Sequence, residues 1–343
     1  MKRLVMAFLA LLSSLFATEA PARQVQARQS PPPGYYDTRA PDAWSGGVKM
    51  VDIDTPSGKF RVWTKRVGSN PKLKVLLLHG GPGATHDYFE PFDSYFPAQG
   101  IEYIYYDQLG SGRSDKPTDT KLWTIERFVD EVEQVRKALD LDAGDFCVLG
   151  HSWGGVLAIE YALKYQANLK CVVISNMMAS IPAYNDYANK VLMPEMDQVK
   201  LAKVKALEAA GKTADPDYMG TLIPLHYEKH ILRRPADQWP EPVTHAFGQM
   251  NTELYTLIQG PSELGASGLL ERWDRFADLK RITVPTLVIG AKYDTMNPAY
   301  MEKMSKELPK GRYLHLAEGS HMAMYDDQAN YFAGLTAFLK GVE

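Results

Sequence analysis

The run Gly150-His151-Ser152-Trp153-Gly154 stands between an apolar stretch, Phe146-Cys147-Val148-Leu149, and a helical pattern from Val156 to Tyr165. Nothing else in the chain constrains its fold as much. A strand that bends sharply into a helix leaves no room for side chains on either side of the turning residue, so glycines flank it and its hydroxyl is thrust above the sheet. A second apolar strand, Val75 to Leu78, runs into His79-Gly80-Gly81-Pro82-Gly83, where a bare backbone can present an N–H to a developing oxyanion. Either run alone reads equally well as an ordinary strand-to-helix turn. Together, and with an Asp and a His late in the chain, they read as the nucleophile and the oxyanion loop of one site.

A chain of 343 residues, 45% hydrophobic and 23% charged, suits one large globular domain carrying an insertion. The net charge of −3 comes with no basic stripe to replace phosphate counterions, so nucleic acid is excluded and a small molecule or short peptide is the expected partner. The sequence sets no oligomeric state. Lys2 and Arg3, the apolar stretch from Leu4 to about Ala17, and Ala20-Pro21-Ala22 read as an export signal with a small-x-small cleavage site. That stretch is short of a spanning helix, so no stable membrane insertion is expected after cleavage, and the mature chain belongs in the periplasm or outside the cell. Cys147 and Cys171 fall in neighbouring predicted strands, and the sequence favours two buried thiols, neither catalytic, over a disulfide.

The expected organisation is residues 1–22 signal, 23–46 flexible lead-in, 47–178 first part of the core, 179–272 helical cap and 273–343 second part of the core. Lys49 to Asp54 and Phe60 to Val67 form a hairpin, and strands then alternate with helices as in a parallel sheet. In the helix predicted for Ile125 to Asp140, the acids Glu126, Asp130, Glu131 and Glu133 interleave with apolar residues and read as a solvated face. From Asn176 to about Arg272 the strand rhythm stops. Two helical stretches, Asp186 to Ala210 and Pro242 to Thr256, lie in a proline-punctuated segment that reads as a cap. Alternation resumes with Thr286 to Gly290, a helix from Pro298 to Leu308, Arg312 to Leu316, and a helix from Gln328 to Lys340.

A serine nucleophile needs a base, and the base needs an orienting acid. His321 follows the last strand, whereas His315 lies within it and His79 lies in the oxyanion loop, so His321 is the base. Asp294 follows the Thr286 to Gly290 strand at its carboxyl end, where sites of open α/β sheets form, and is the acid. The end of the preceding strand offers only Asn176-Met177-Met178, without a carboxylate. Backbone N–H groups of Gly81 and Trp153 would bind the oxyanion. His226 and His230 are one helical turn apart, but Glu228 lies on another face, and a polar cap helix is the better reading than a metal site. Asp107-Gln108-Leu109-Gly110-Ser111-Gly112-Arg113-Ser114 lacks phosphate-loop spacing. No metal or cofactor is expected.

With these residues in hand, the chain resembles the proline iminopeptidase (prolyl aminopeptidase) family of α/β-hydrolases from about Val48 to Leu339. The likeness rests on His79 to Gly83, Tyr106 to Ser114, Gly150 to Gly155, Gly260-Pro261-Ser262-Glu263, Trp273-Asp274 and Ser320-His321. It implies an α/β fold with a mostly parallel central sheet, helices on both faces and a helical cap. It also implies release of N-terminal residues from short peptides or amino-acid amides, with Glu263 holding the substrate's free amine. Relatives often carry a Glu directly after the catalytic Asp. Here Thr295 stands in that place and is the second candidate substrate contact. An esterase, lactonase or amidase indifferent to a free amine stays open at this point, as does a noncatalytic binding protein that keeps the fold.

Overall fold

The computed structural model describes residues 47–343. The expected signal and lead-in lie outside the described residues. Eight strands form one sheet: β1 (Val48–Thr55), β2 (Gly58–Val67), β3 (Lys74–Leu78), β4 (Glu102–Asp107), β5 (Phe146–His151), β6 (Cys171–Ser175), β7 (Thr286–Ala291) and β8 (Gly311–Leu316). Their order is β1-β2-β4-β3-β5-β6-β7-β8. β2 pairs antiparallel with β1 and β4, and every later pairing is parallel. Every residue of β3, β5, β6 and β7 is buried, which is why these strands read as continuous apolar runs rather than alternating ones. Successive side chains serve opposite layers: Leu76 and Leu78 pack on one face of the sheet, Val75 and Leu77 on the other.

Helices cover both faces. α1 (Ile125–Ala138) and α2 (Trp153–Tyr165) bring Phe128 and Val156 to the first layer. Within the cap run α3 (Ile181–Tyr187), α4 (Gln198–Ala209), α5 (Pro216–Leu222), α6 (Glu241–Gly248) and α7 (Thr252–Ile258). α8 (Pro298–Glu307) adds Met301 and Met304 to the first layer, and α9 (Gln328–Lys340) adds Tyr331 and Leu335 to the second. The chain leaves the core and returns to it side by side, with Ser180 bridged to Asp274 and the Arg275 N–H donating to Ala179 O at 2.7 Å. Among the described residues no helix is long and apolar enough to cross a membrane.

Four readings of the sequence need correction. Cys147 and Cys171 are directly opposed on the parallel β5–β6 ladder, Cα atoms 4.7 Å apart, and are joined as a disulfide rather than left as thiols. Glu131 and Glu133 are not on a solvated face. Glu131 is buried, accepting from the Leu109 N–H at 2.9 Å, from Tyr106 and from Arg127, and Glu133 is held by Arg136 and Tyr161. Glu126 and Asp130 do face solvent. The first cap stretch is not one helix: a π-helical turn at Ala188–Leu192 and a short turn at Met193–Glu195, holding Pro194, precede α4, which Asp197 caps. The second breaks between α6 and α7, where the Asn251 side chain caps α7 by accepting from the Leu254 N–H.

Candidate active site

Ser152 turns β5 into α2 with φ 55° and ψ −126°, a conformation that L-residues rarely adopt and that the surroundings must enforce. The enforcement is steric and polar. A Cβ on Gly154 would lie 1.9 Å from Leu78 O and one on Gly150 1.9 Å from Gly154 O, so helix, strand and turn close on one another only because both residues are glycine. The Ser152 N–H donates to Ser175 O at 3.0 Å. Its Oγ has no hydrogen-bond partner among the described residues and faces a cavity that His321 also lines. A catalytic hydrogen bond of this kind commonly tightens only with substrate bound.

His321 follows β8, and its Nδ1 donates to Asp294 Oδ1 at 2.8 Å. Asp294 is fully buried beyond β7 and accepts from the Met296 N–H at 3.1 Å and from Asn176 Nδ2 at 2.7 Å. Burial alone would raise its carboxyl, but the facing imidazole and these donors outweigh it and hold the group below its ordinary value. Burial likewise would lower His321. The charge and hydrogen bond of Asp294, helped by Glu263, raise it instead. Asn176 marks a functional position missed in the sequence: lacking a carboxylate, the end of β6 supplies a donor to the acid on β7. Its φ of 54°, which Asn tolerates better than most residues, belongs to the folded backbone, and no motif in the sequence announces it.

The Gly81 and Trp153 N–H groups donate to no other group among the described residues, and both residues' neighbours line the same cavity. Tyr88 Oη accepts from the Gly80 N–H at 2.6 Å and lies 3.1 Å from His151 Nδ1, while His151 Nε2 donates to His321 O at 2.8 Å. Burial, and after it the nearby His321, push His151 down to about 3, so it bridges these loops as a neutral ring.

The cavity measures about 300 Å³ and is walled by Met219, Ile231, Phe247, Met250 and Met322. Among the described residues Glu263 is its only carboxylate. Tyr255 Oη donates to Glu263 Oε1 at 2.7 Å, and Tyr184 Oη donates to the Glu263 carbonyl at 2.8 Å. His226, read from the sequence as part of a polar helix, is instead fully buried in a π-helical turn at Ile223–Tyr227, and its Nε2 donates to the Glu263 carbonyl at 3.0 Å. His230 Nδ1 donates to Tyr293 O at 2.8 Å. Thr295 does not join Glu263. It is buried outside the cavity lining, with its hydroxyl donating to Asp294 Oδ1 at 3.2 Å and lying 3.5 Å from His321 Nδ1, so the turn after β7 sets it beside the acid and the base rather than in the substrate space.

Residues 74–328 match the family described as alpha/beta hydrolase fold. A proline iminopeptidase of Flavobacterium johnsoniae is 53% identical over 293 residues, which is 85% of this chain and 98% of that protein. One from Elizabethkingia meningoseptica is 53% identical over 296 residues, 86% of this chain and 98% of its own. Among solved structures, a proline iminopeptidase of Mycobacterium smegmatis superposes with a TM-score of 0.75 at 28% identity, covering 86% of this chain and 98% of that one. VinJ superposes with a TM-score of 0.78 at 27% identity, covering 86% and 99%.

Proposed function

The chain belongs to the proline iminopeptidase family of α/β hydrolases, and on that premise we propose that it is an exported serine aminopeptidase releasing N-terminal proline from short peptides and amides through an acyl-enzyme. The observation that carries this reading is Glu263, the one carboxylate that the described residues place in an otherwise largely apolar cavity shared with Ser152 and His321. A substrate cation entering such a space must find a counter-charge, and a substrate without one leaves Glu263 unpaired.

In the reaction His321 Nε2 takes the Ser152 hydroxyl proton as Oγ bonds to the substrate carbonyl carbon, and the carbonyl oxygen gathers negative charge beside the Gly81 and Trp153 N–H groups. Collapse breaks the C–N bond, and His321 returns its proton to the leaving amine. Water, deprotonated by His321, then attacks the ester carbon and Ser152 recovers its hydrogen. Asp294 keeps the ring oriented and stabilises its cation.

Prolyl arylamide should be hydrolysed and its N-acetyl counterpart should not. Equal rates on the two would sink amine recognition by Glu263. Loss of serine-directed phosphonate labelling in Ser152→Ala is the matching expectation for the nucleophile, and persistent labelling would remove Ser152 from the role. The export reading is supported by Lys2 to Ala22 and by the disulfide, which oxidising compartments favour. Mass analysis of the protein recovered outside the cytoplasm should find a chain beginning near Arg23. A chain retaining Met1 would contradict export by cleavage.

A further inference from the structure

The motif Asp107 to Ser114 has no part in the chemistry described so far, yet its second residue touches both halves of the oxyanion site. Gln108 is fully buried after β4. Its Oε1 accepts from Trp153 Nε1 at 2.8 Å, and its Nε2 donates to the His79 carbonyl at 2.9 Å. The backbone N–H of Gln108 donates to His79 Nε2 at 3.1 Å. That last bond fixes the imidazole tautomer: with Nε2 accepting, the ring proton sits on Nδ1, which donates to Gly80 O at 2.9 Å. Burial is the main influence on His79 and lowers it, in keeping with a neutral ring.

Gly80 O belongs to the same peptide unit as the Gly81 N–H. In a planar trans peptide the two bonds point in opposite directions, so anchoring the carbonyl on one side aims the N–H to the other. On its far side Gln108 holds the indole of Trp153, the residue at the start of α2 whose backbone N–H is the second donor. The turn that carries Gln108 is itself locked. Asp107 accepts from the His86 N–H at 2.9 Å and from the Arg113 N–H at 2.9 Å, and a Cβ on Gly112 would lie 2.3 Å from the Asp107 carboxylate.

We propose that Gln108 is a positioning residue that, with His79, sets the direction and spacing of the two oxyanion donors, Gly81 N–H and Trp153 N–H. The assignment rests on the serine-hydrolase reading of the site. Gln108 touches no substrate, and its effect belongs to the transition state, when the carbonyl oxygen has moved and gained charge.

The test is Gln108→Met, similar in length but unable to form either side-chain bond, alongside Trp153→Phe, which removes the indole donor from the other end. Prolyl arylamide kinetics should show kcat reduced about tenfold, short of the roughly 10²-fold to 10³-fold that loss of a donor costs, with KM within about twofold of wild type. Affinity for an α-aminoboronic acid analogue of proline, which presents a tetrahedral hydroxyl to the donors, should fall by the same factor as kcat/KM. Affinity for free proline should not change. If Gln108→Met does not fold, Trp153→Phe decides the matter with the same readout. Equal losses of boronate and proline affinity would overturn the assignment, since they mark a general disturbance of the pocket. Unchanged kcat in a folded variant whose Ser152 is still labelled by a phosphonate would overturn it alone. Absence of labelling in the wild type would instead remove the reading beneath it, and the assignment with it.

Discussion

Burial pushes the Glu263 carboxyl above its ordinary value, and the opposing influence of His321 and the Tyr255 and Tyr184 hydroxyls does not cancel the shift. A folded state that binds this proton more tightly than the unfolded chain loses stability when the group ionises. That cost is present above the folded value and disappears as pH falls to the ordinary 4.5. Glu263→Gln should therefore stabilise the free enzyme by about 0.5–2 kcal/mol at neutral pH, the usual scale when a functional site is relaxed, while weakening binding of free-amine substrates. Denaturant midpoints at pH 7 and pH 4 check this: the variant should lead at the first and lose its advantage at the second. A less stable variant at pH 7 would show that the tyrosine hydroxyls repay the burial. The arrangement proposed for Ser152, Asp294 and His321 could be expected because each follows a strand in the required order, and the structure joins His321 Nδ1 to Asp294 at 2.8 Å beside the cavity that Ser152 lines. Asn176 and Gln108 were not, since a buried amide that serves as donor or brace has no pattern beyond the loop that carries it.

On the scale of single elements, α1 shows where an amphipathic reading fails. Its alternation of acids and apolar residues suggested one wet face, but the helix packs against β1 and α2, and Glu131 reaches Tyr106 of β4 and the loop that follows that strand. There it is the common acceptor for Arg127, Tyr106 and the Leu109 N–H. Periodicity reports which residues share a face and says nothing of what polar groups another element brings to it. Glu131→Ala should cost about 3–5 kcal/mol, because it leaves the buried Arg127 guanidinium without its counter-charge. Glu131→Gln, which keeps an acceptor for Tyr106 and Leu109, should cost less. Chemical denaturation of the two variants separates these outcomes, and equal losses would mean that charge has no part. The disulfide was hidden for a related reason. Strand adjacency could be foreseen from the sequence, but Cys147 and Cys171 join because the ladder places them at the same level with both side chains in the same layer.

Across the whole molecule the cap is tied to the catalytic loops as well as to substrate. The His321 N–H donates to His230 O at 2.9 Å and the Met322 N–H to Ile231 O at 2.8 Å. The Asn251 N–H donates to Gly83 O at 2.9 Å, with its side chain on Gly110 O at 2.9 Å. Loss of strand rhythm and a run of prolines sufficed to expect an insertion, but all four of these acceptors are main-chain carbonyls, which any residue supplies and no motif announces. A cap that only covers the site would, once removed, leave small esters hydrolysed at the original rate or faster. A cap that clasps the base and oxyanion loops would take catalysis with it. Replacing residues 181–272 by a short Gly-Ser linker across the Ser180–Asp274 bridge should therefore lower turnover of p-nitrophenyl acetate by at least about 10²-fold, the penalty expected when reacting groups shift by an ångström. Circular dichroism shows whether the sheet survives the change. A folded, capless chain that still turns over the ester at the wild-type rate would reduce the cap to a cover, and the clasp on His321 to packing.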